Sequence, residues 1–135
     1  MEKNLIAPKV RSFPIVGIGG SAGGLEAFQE LLKNLSNKIG MAFVFIMHLA
    51  PEHKSMLAEL LSRQTKMPLC EARNRMPVEI NHVYVIPPNM NMSVADGKLI
   101  LSKRQTSGLK NLPVDHFFRS LAKEKGTATE TQEGV

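Results

Sequence analysis

Two short apolar runs separated by a single amphipathic stretch constrain this chain more than any other feature. Phe13 to Ile18 is rich in β-branched residues and runs into glycine. Met41 to Met47, "MAFVFIM", is apolar throughout. A strand that alternates apolar and polar residues has one wet face; a strand without alternation is covered on both, as in a parallel sheet. Between the two runs, Leu25, Phe28, Leu31, Leu32 and Leu35 recur at helical spacing, and Gly40 closes the connection. Strand, helix and strand in that order predict a right-handed crossover.

The pattern then repeats. Met56, Leu57, Leu60 and Leu61 mark a second helix, with Pro51 near its start and Glu59 and Arg63 four apart on its polar side. Leu69 to Ala72 reads as a third strand, in which Cys70 is expected to be a small buried residue. Val83 to Ile86 is a fourth strand, stopped by Pro87 and Pro88. Asp96-Gly97 between alternating runs from Met92 to Leu101 is a hairpin signal. Pro113 stands where a first helical residue belongs. Val114, Phe117, Phe118 and Leu121 form the apolar face of a third helix, closed by Lys123, Lys125 and Gly126. The expected class is therefore α/β: doubly wound, with a mainly parallel sheet, helices on both faces and a β-hairpin insertion.

Between the first strand and its helix lies "IVGIGGSAGG", Ile15 to Gly24. Three chemistries fit it. Gly17-x-Gly19-x-x-Ala22 matches a loose dinucleotide fingerprint, yet the second strand ends in Met47-His48 and not in the acidic residue that reads a ribose. Ser21 fits a helix N-cap, although no Glu or Gln follows three residues later and a cap does not need glycines around it. Gly19-x-Ser21-x-Gly23 also has the spacing of a nucleophile turn, where small neighbours admit a carbonyl and the following helix aims amides at it. A serine hydroxyl needs a base within reach. His48 directly follows the second strand, so in a parallel sheet it emerges at the same carboxyl edge as Ser21. His53, His82 and His116 read as ordinary helix or strand-end residues. "HLAPEH" has a spacing of five and a proline where a zinc helix needs four and none, so no metal is expected.

Composition removes other classes. The net charge of +5 comes from scattered basic residues, with 5% aromatics, which is not the footprint of a nucleic-acid binder. No apolar run approaches a membrane span, and the first dozen residues, carrying Glu2, Lys3, Lys9 and Arg11, lack the apolar core of a secretory signal. A single cysteine fits a reducing cytoplasm.

The stretches "IVGIGGSAGGLEAF", "FVFIMHLAPEHKSMLAELL", "MPVEINHVYVIPPN" and "LPVDHFFRSLA" resemble the catalytic domain of bacterial chemotaxis protein-glutamate methylesterases (the CheB type), most closely the versions fused to a receptor methyltransferase. The resemblance runs in consistent order from Phe13 to Gly126. It implies residues 1–12 as an N-terminal extension, 13–126 as a partial catalytic domain and 127–135 as a polar, disordered tail. It also implies a hydrolase of glutamate methyl esters on chemoreceptor helices, releasing methanol. Some members also deamidate glutamine. Ser21 takes the nucleophile's place, His48 the base's, and the amides around Ala22 and Gly23 the oxyanion donors'. Ala22 replaces a residue that is often threonine, and Met47 one that is often glutamine.

The resemblance further implies a cytoplasmic protein without cofactor, whose partners are methylated receptor helices and a methyltransferase domain, fused or neighbouring. The family's third triad member, an aspartate in a later "G-M-G-x-D-G" loop, is absent from this sequence, and neither Asp96 nor Asp115 substitutes for it. In serine proteases, neutralising that acid lowers kcat about ten-thousand-fold. A sheet lacking its last strands is also expected to leave an edge and apolar faces open. A non-catalytic, receptor-binding remnant of the same fold, and more remotely a nucleotide-binding domain, are the competing expectations.

Overall fold

A computed structural model of the chain describes residues 13–20, 24–47, 57–88, 90–103 and 113–124. In chain order the elements are β1 (Ile15–Gly20), α1 (Gly24–Lys33), β2 (Ala42–Met47), α2 (Leu57–Ser62), β3 (Leu69–Glu71), β4 (Met76–Pro77), β5 (Val83–Val85), β6 (Met90–Ala95), β7 (Lys98–Lys103) and α3 (Pro113–Lys123). Four strands form a parallel sheet in the order β1-β2-β5-β3, and β4-β7-β6 form a second, antiparallel sheet.

The parallel sheet has helices on both faces. On one, Phe28 and Leu32 of α1 and Leu57 and Leu61 of α2 pack against Ile18, Phe43, Phe45, Val83 and Val85. Phe28 stacks on Phe45 with ring centroids 4.0 Å apart. Full burial of either ring contributes roughly 1.5–3 kcal/mol. On the other face, Phe117 and Leu121 of α3 and Met92, Val94 and Leu99 of the second sheet cover Ile15, Ala42, Val44, Ile46 and Tyr84. The continuous apolar run of β2 is thus explained: alternate residues feed two cores.

The strand order follows from handedness. β1, β2 and β3 advance in one direction, and right-handed crossovers put α1 and α2 on the same face. β5 returns to lie between β2 and β3, so its connection crosses the opposite face, where Ala72, Met76 and Val78 pack into the core. Gly40, at φ +87°, turns the chain into β2. Its N–H donates to Asn81 Oδ1 at 2.7 Å while the Asn81 N–H donates to the Met41 carbonyl, tying the starts of β2 and β5 together. Asp96 and Gly97, at φ 52° and 75°, make the two-residue hairpin turn the sequence predicts.

Several expectations change. β1 does not stop at Ile18 but continues in regular register through Gly20. Cys70 is exposed, because β3 is an outer strand at the rim of the sheet. Leu60 is also exposed; the buried stripe of α2 runs through Leu57 and Leu61, and Leu60 lies beside it. The hairpin gains β4, whose proline is tolerated because β4 is an outer strand. The open edge is present at β1 among the described strands. The expected open apolar faces are not: among the described residues only Leu60 and Ile80 are large, apolar and exposed. Gly126 and the residues assigned to the tail lie outside the described residues.

Candidate active site

Ser21, Ala22, Gly23 and His48, together with His53, lie outside the described residues. The strands that carry them to the site are described. β1 ends at Gly20 and β2 at Met47, and these two residues are direct register partners in a parallel pair. Neighbouring strands run about 4.8 Å apart. Ser21 is the residue after Gly20 and His48 the residue after Met47, and each peptide step is about 3.8 Å. The last described residues before the two candidates, Gly20 and Met47, are therefore level with one another at the carboxyl edge of adjacent strands.

Two further features converge on this edge. The chain leaves β1 at its carboxyl end and re-enters β2 at its amino end, so α1 starts at the carboxyl edge and runs away from it. The positive end of its dipole, where the first-turn amides have no partner within the helix, thus belongs to this edge. β5 contributes its exit as well: Val85 is level with Phe45, and the Ile86 N–H donates to the Phe45 carbonyl at 3.0 Å. Pro87 then takes the chain out of the sheet beside the end of β2.

The remaining titratable candidates are elsewhere. His82 precedes β5 at the amino edge; its carbonyl accepts from the Phe43 N–H, its Nδ1 is 2.8 Å from the Ile80 carbonyl, and its Nε2 is 3.6 Å from the Glu79 carboxylate. At about 3.3 Å per residue, the length of β2 separates it from the carboxyl edge by more than about 10 Å. Asp96 sits in the hairpin turn, and Asp115 belongs to the first turn of α3. A cleft of about 280 Å³ lined by Leu32, Leu35, Arg63 and Lys66 lies at the C-terminal ends of α1 and α2, hence at the amino edge.

Sequence reasoning misses Asn91. It follows the Pro87-Pro88 exit, is 4% exposed, and its Oδ1 has no hydrogen-bond partner among the described residues. An asparagine between Met90 and Met92 carries no signal of burial in the sequence, because alternation assigns it to the outer face of β6. It misses Ser120 too, whose hydroxyl accepts from the Val94 N–H at 2.9 Å and donates to the Phe117 carbonyl at 2.7 Å, locking α3 to β6.

Comparison with known proteins shows the family and the fold. The family model described as CheB methylesterase matches residues 16–130. A protein-glutamate methylesterase/protein-glutamine glutaminase of Trichodesmium erythraeum is 30% identical over 140 residues, covering 91% of this chain and 40% of that protein. A protein of the same description from Bacillus licheniformis is 30% identical over 112 residues, covering 80% of this chain and 31% of its own. The chain thus spans two fifths or less of these relatives. The crystal structure of the Thermotoga maritima CheB methylesterase catalytic domain superposes with a TM-score of 0.72 at 24% identity, covering 90% of this chain and 67% of that chain.

Proposed function

The chain belongs to the CheB methylesterase family, and on that premise we propose that it carries the nucleophile half of a protein-glutamate methylesterase centre, with Ser21 as nucleophile and His48 as its base. The observation that carries the reading is the pairing of Gly20 with Met47 at the ends of adjacent parallel strands. In this reading His48 takes the proton of Ser21 as the hydroxyl oxygen attacks the ester carbonyl. Amides around Ala22 and Gly23, at the positive end of α1, hold the oxyanion. His48 then returns the proton to the departing methanol, and water releases the acyl group by the same route reversed. The substrates are glutamate methyl esters on the cytoplasmic helices of chemoreceptors, with glutamine deamidation as the related reaction. We place the protein in the cytoplasm beside a receptor methyltransferase domain; no helix among the described residues is long and apolar enough to cross a membrane. We take residues 13–126 as the catalytic-domain portion, 1–12 as an extension and 127–135 as a polar tail.

The test is covalent. A fluorophosphonate probe should label Ser21, located by peptide mass spectrometry, and both Ser21→Ala and His48→Ala should lose the label. A receptor peptide bearing a glutamate methyl ester should release methanol in the same samples. A folded protein in which Ser21 takes no label would refute the reading and leave a receptor-binding role for the fold.

A further inference from the structure

We infer that Arg73, Arg75 and Lys103 form a cationic strip that recognises carboxylates of the substrate helix, about two turns from the ester being hydrolysed. Glutamates already released at neighbouring positions thereby favour the next turnover. The inference rests on the methylesterase reading for its substrate, while the strip itself consists of described residues. These cations are far apart in sequence, and the second sheet gathers them. Glu71 of β3 and Phe45 of β2 are both level with Val85. Arg73 and Met47 each stand two residues further on. The Ala72 N–H still donates to the Val85 carbonyl, so the chain reaches Arg73 at the level where β2 ends. It then turns back: the Met76 N–H donates to the Arg73 carbonyl, and the Arg75 N–H to the Leu99 carbonyl at 2.7 Å. β7 runs antiparallel to β4, and the Leu101 N–H donates to Asn74 Oδ1 at 2.9 Å. Past Leu101, β7 carries Lys103 toward the Arg73 end of the strip.

Arg73, Arg75 and Lys103 are exposed, and none of them makes an ion pair among the described residues. Cations on the helices are spent: Lys33 lies 3.7 Å from Glu30, and Arg63 lies 3.3 Å from Glu59. Two of the acids on the second-sheet side, Asp96 and Glu79, stand at its far end, where the Val78 N–H donates to the Gly97 carbonyl. Arg75 is also held at φ +67°, a region that side chains rarely adopt. Gathered like charges repel, and a strained backbone at one of them adds to the cost, with no ion pair in return. A surface of this kind fits an anionic partner.

The reaction itself makes that anion. Hydrolysis of a glutamate methyl ester, or of a glutamine, leaves a carboxylate on the same helix. β3 lies two strands from β2 and three from β1, a span of about 10–14 Å at the usual strand spacing. A helix rises about 1.5 Å per residue, so the span equals about seven to nine residues. A helix lying across the strand ends, with its ester where β1 and β2 finish, therefore carries carboxylates about two turns away over the strip.

The experiment is a binding titration by fluorescence anisotropy, which does not depend on turnover. The full 135-residue chain carrying Ser21→Ala, which leaves the ester intact, is titrated against two helical peptides. Both bear one glutamate methyl ester; about seven residues to either side, one has glutamate and the other glutamine. The glutamate peptide should bind about three- to tenfold more tightly at low salt, the yield of two exposed ion pairs. Adding Arg73→Gln together with Lys103→Gln should abolish that preference, and so should high salt. Equal affinity for the two peptides, including no binding of either, would overturn the inference, as would a preference that survives the double substitution. An equal loss in Arg63→Gln, at the amino edge, would assign the preference to net charge and overturn it too. Tighter binding of a single-stranded DNA of similar charge, lost in the same double variant, would assign the strip to phosphate with the same consequence. Fluorophosphonate labelling of Ser21 in the unsubstituted chain reports on the catalytic reading separately.

Discussion

The glycine at position 17 is needed for packing more than for backbone conformation, and this can be measured. Gly17 lies within the regular part of β1, paired with Val44. A methyl group built there would stand 2.8 Å from Phe118 Cε1, 3.1 Å from Phe118 Cζ and 3.1 Å from Phe117 Cε2. Carbon atoms prefer about 3.5–4.0 Å, so the Phe118 ring must retreat by about 0.7 Å. Phe117 is fully buried and meets Phe118 edge-on at 5.9 Å, so the retreat is resisted from behind. Overpacking of this kind costs about 1–3 kcal/mol. Against it stands about 0.4–1 kcal/mol gained because alanine has fewer unfolded conformations than glycine.

Gly17→Ala should therefore destabilise by roughly 0.5–2 kcal/mol, lowering the urea midpoint by several tenths of a molar unit at unchanged slope. The cause is checked in the Phe118→Leu background, where the flexible smaller side chain should remove most of the added cost. If Gly17→Ala is as stable as the parent, or costs the same in the Phe118→Leu background as in the parent, the packing argument is wrong.

Further outcomes follow from other contacts. Phe28→Ala removes the ring stacked on Phe45 and should cost about 3–5 kcal/mol in denaturant unfolding. Tyr84 is buried, and its hydroxyl accepts from the Glu79 N–H at 2.9 Å and donates to the Pro77 carbonyl at 3.3 Å; Tyr84→Phe should cost about 1–2 kcal/mol at pH 7. Burial also pushes the Tyr84 hydroxyl above its ordinary value of 10.0, only partly offset by the Glu79 amide. The folded state then favours the protonated phenol, so stability from this group is full below pH 10 and is lost as pH rises through the raised folded value. Tyr84→Phe should flatten that alkaline decline in a pH series of unfolding midpoints. Desolvation pushes the Cys70 thiol up, and Arg73 draws it down. The pH midpoint of its iodoacetamide alkylation should lie above that of a free thiol and rise further in Arg73→Gln.

How much of this is legible in the sequence depends on whether a signal is local. The two-faced burial of "MAFVFIM", the α1 stripe through Phe28 and Leu32 and the Asp96-Gly97 turn each depend on neighbours in sequence, and each can be read directly. The position of Cys70 depends on which strand ends the sheet. That is set by the return of β5 between β2 and β3, and nothing in "PLCEA" encodes it. β4 is only Met76–Pro77 and gains its identity from pairing with β7. Gly17 reads from sequence as a strand residue or as the first glycine of a dinucleotide fingerprint, and its packing role is not legible because the proximity of Phe117 and Phe118, far along the chain, leaves no mark near it. The shared carboxyl edge at which β1 and β2 end is legible because it needs only strand direction and the order of the residues. Asn91 is not, because its burial depends on what folds over β6.

The placement of β5 between β2 and β3 also governs how the chain is made. Among the described strands β3 pairs with β5 alone, so when a ribosome releases Leu69–Glu71 there is nothing yet for it to join. At about 5–20 residues per second, β5 is complete roughly 0.7 to 3 seconds later. During that interval the nascent chain carries β2 with one side unfilled and β3 as a loose ribbon beside it. The charges of Glu71 and Arg73 then matter before the fold exists: they discourage β3 from joining a neighbour's sheet on the same polysome.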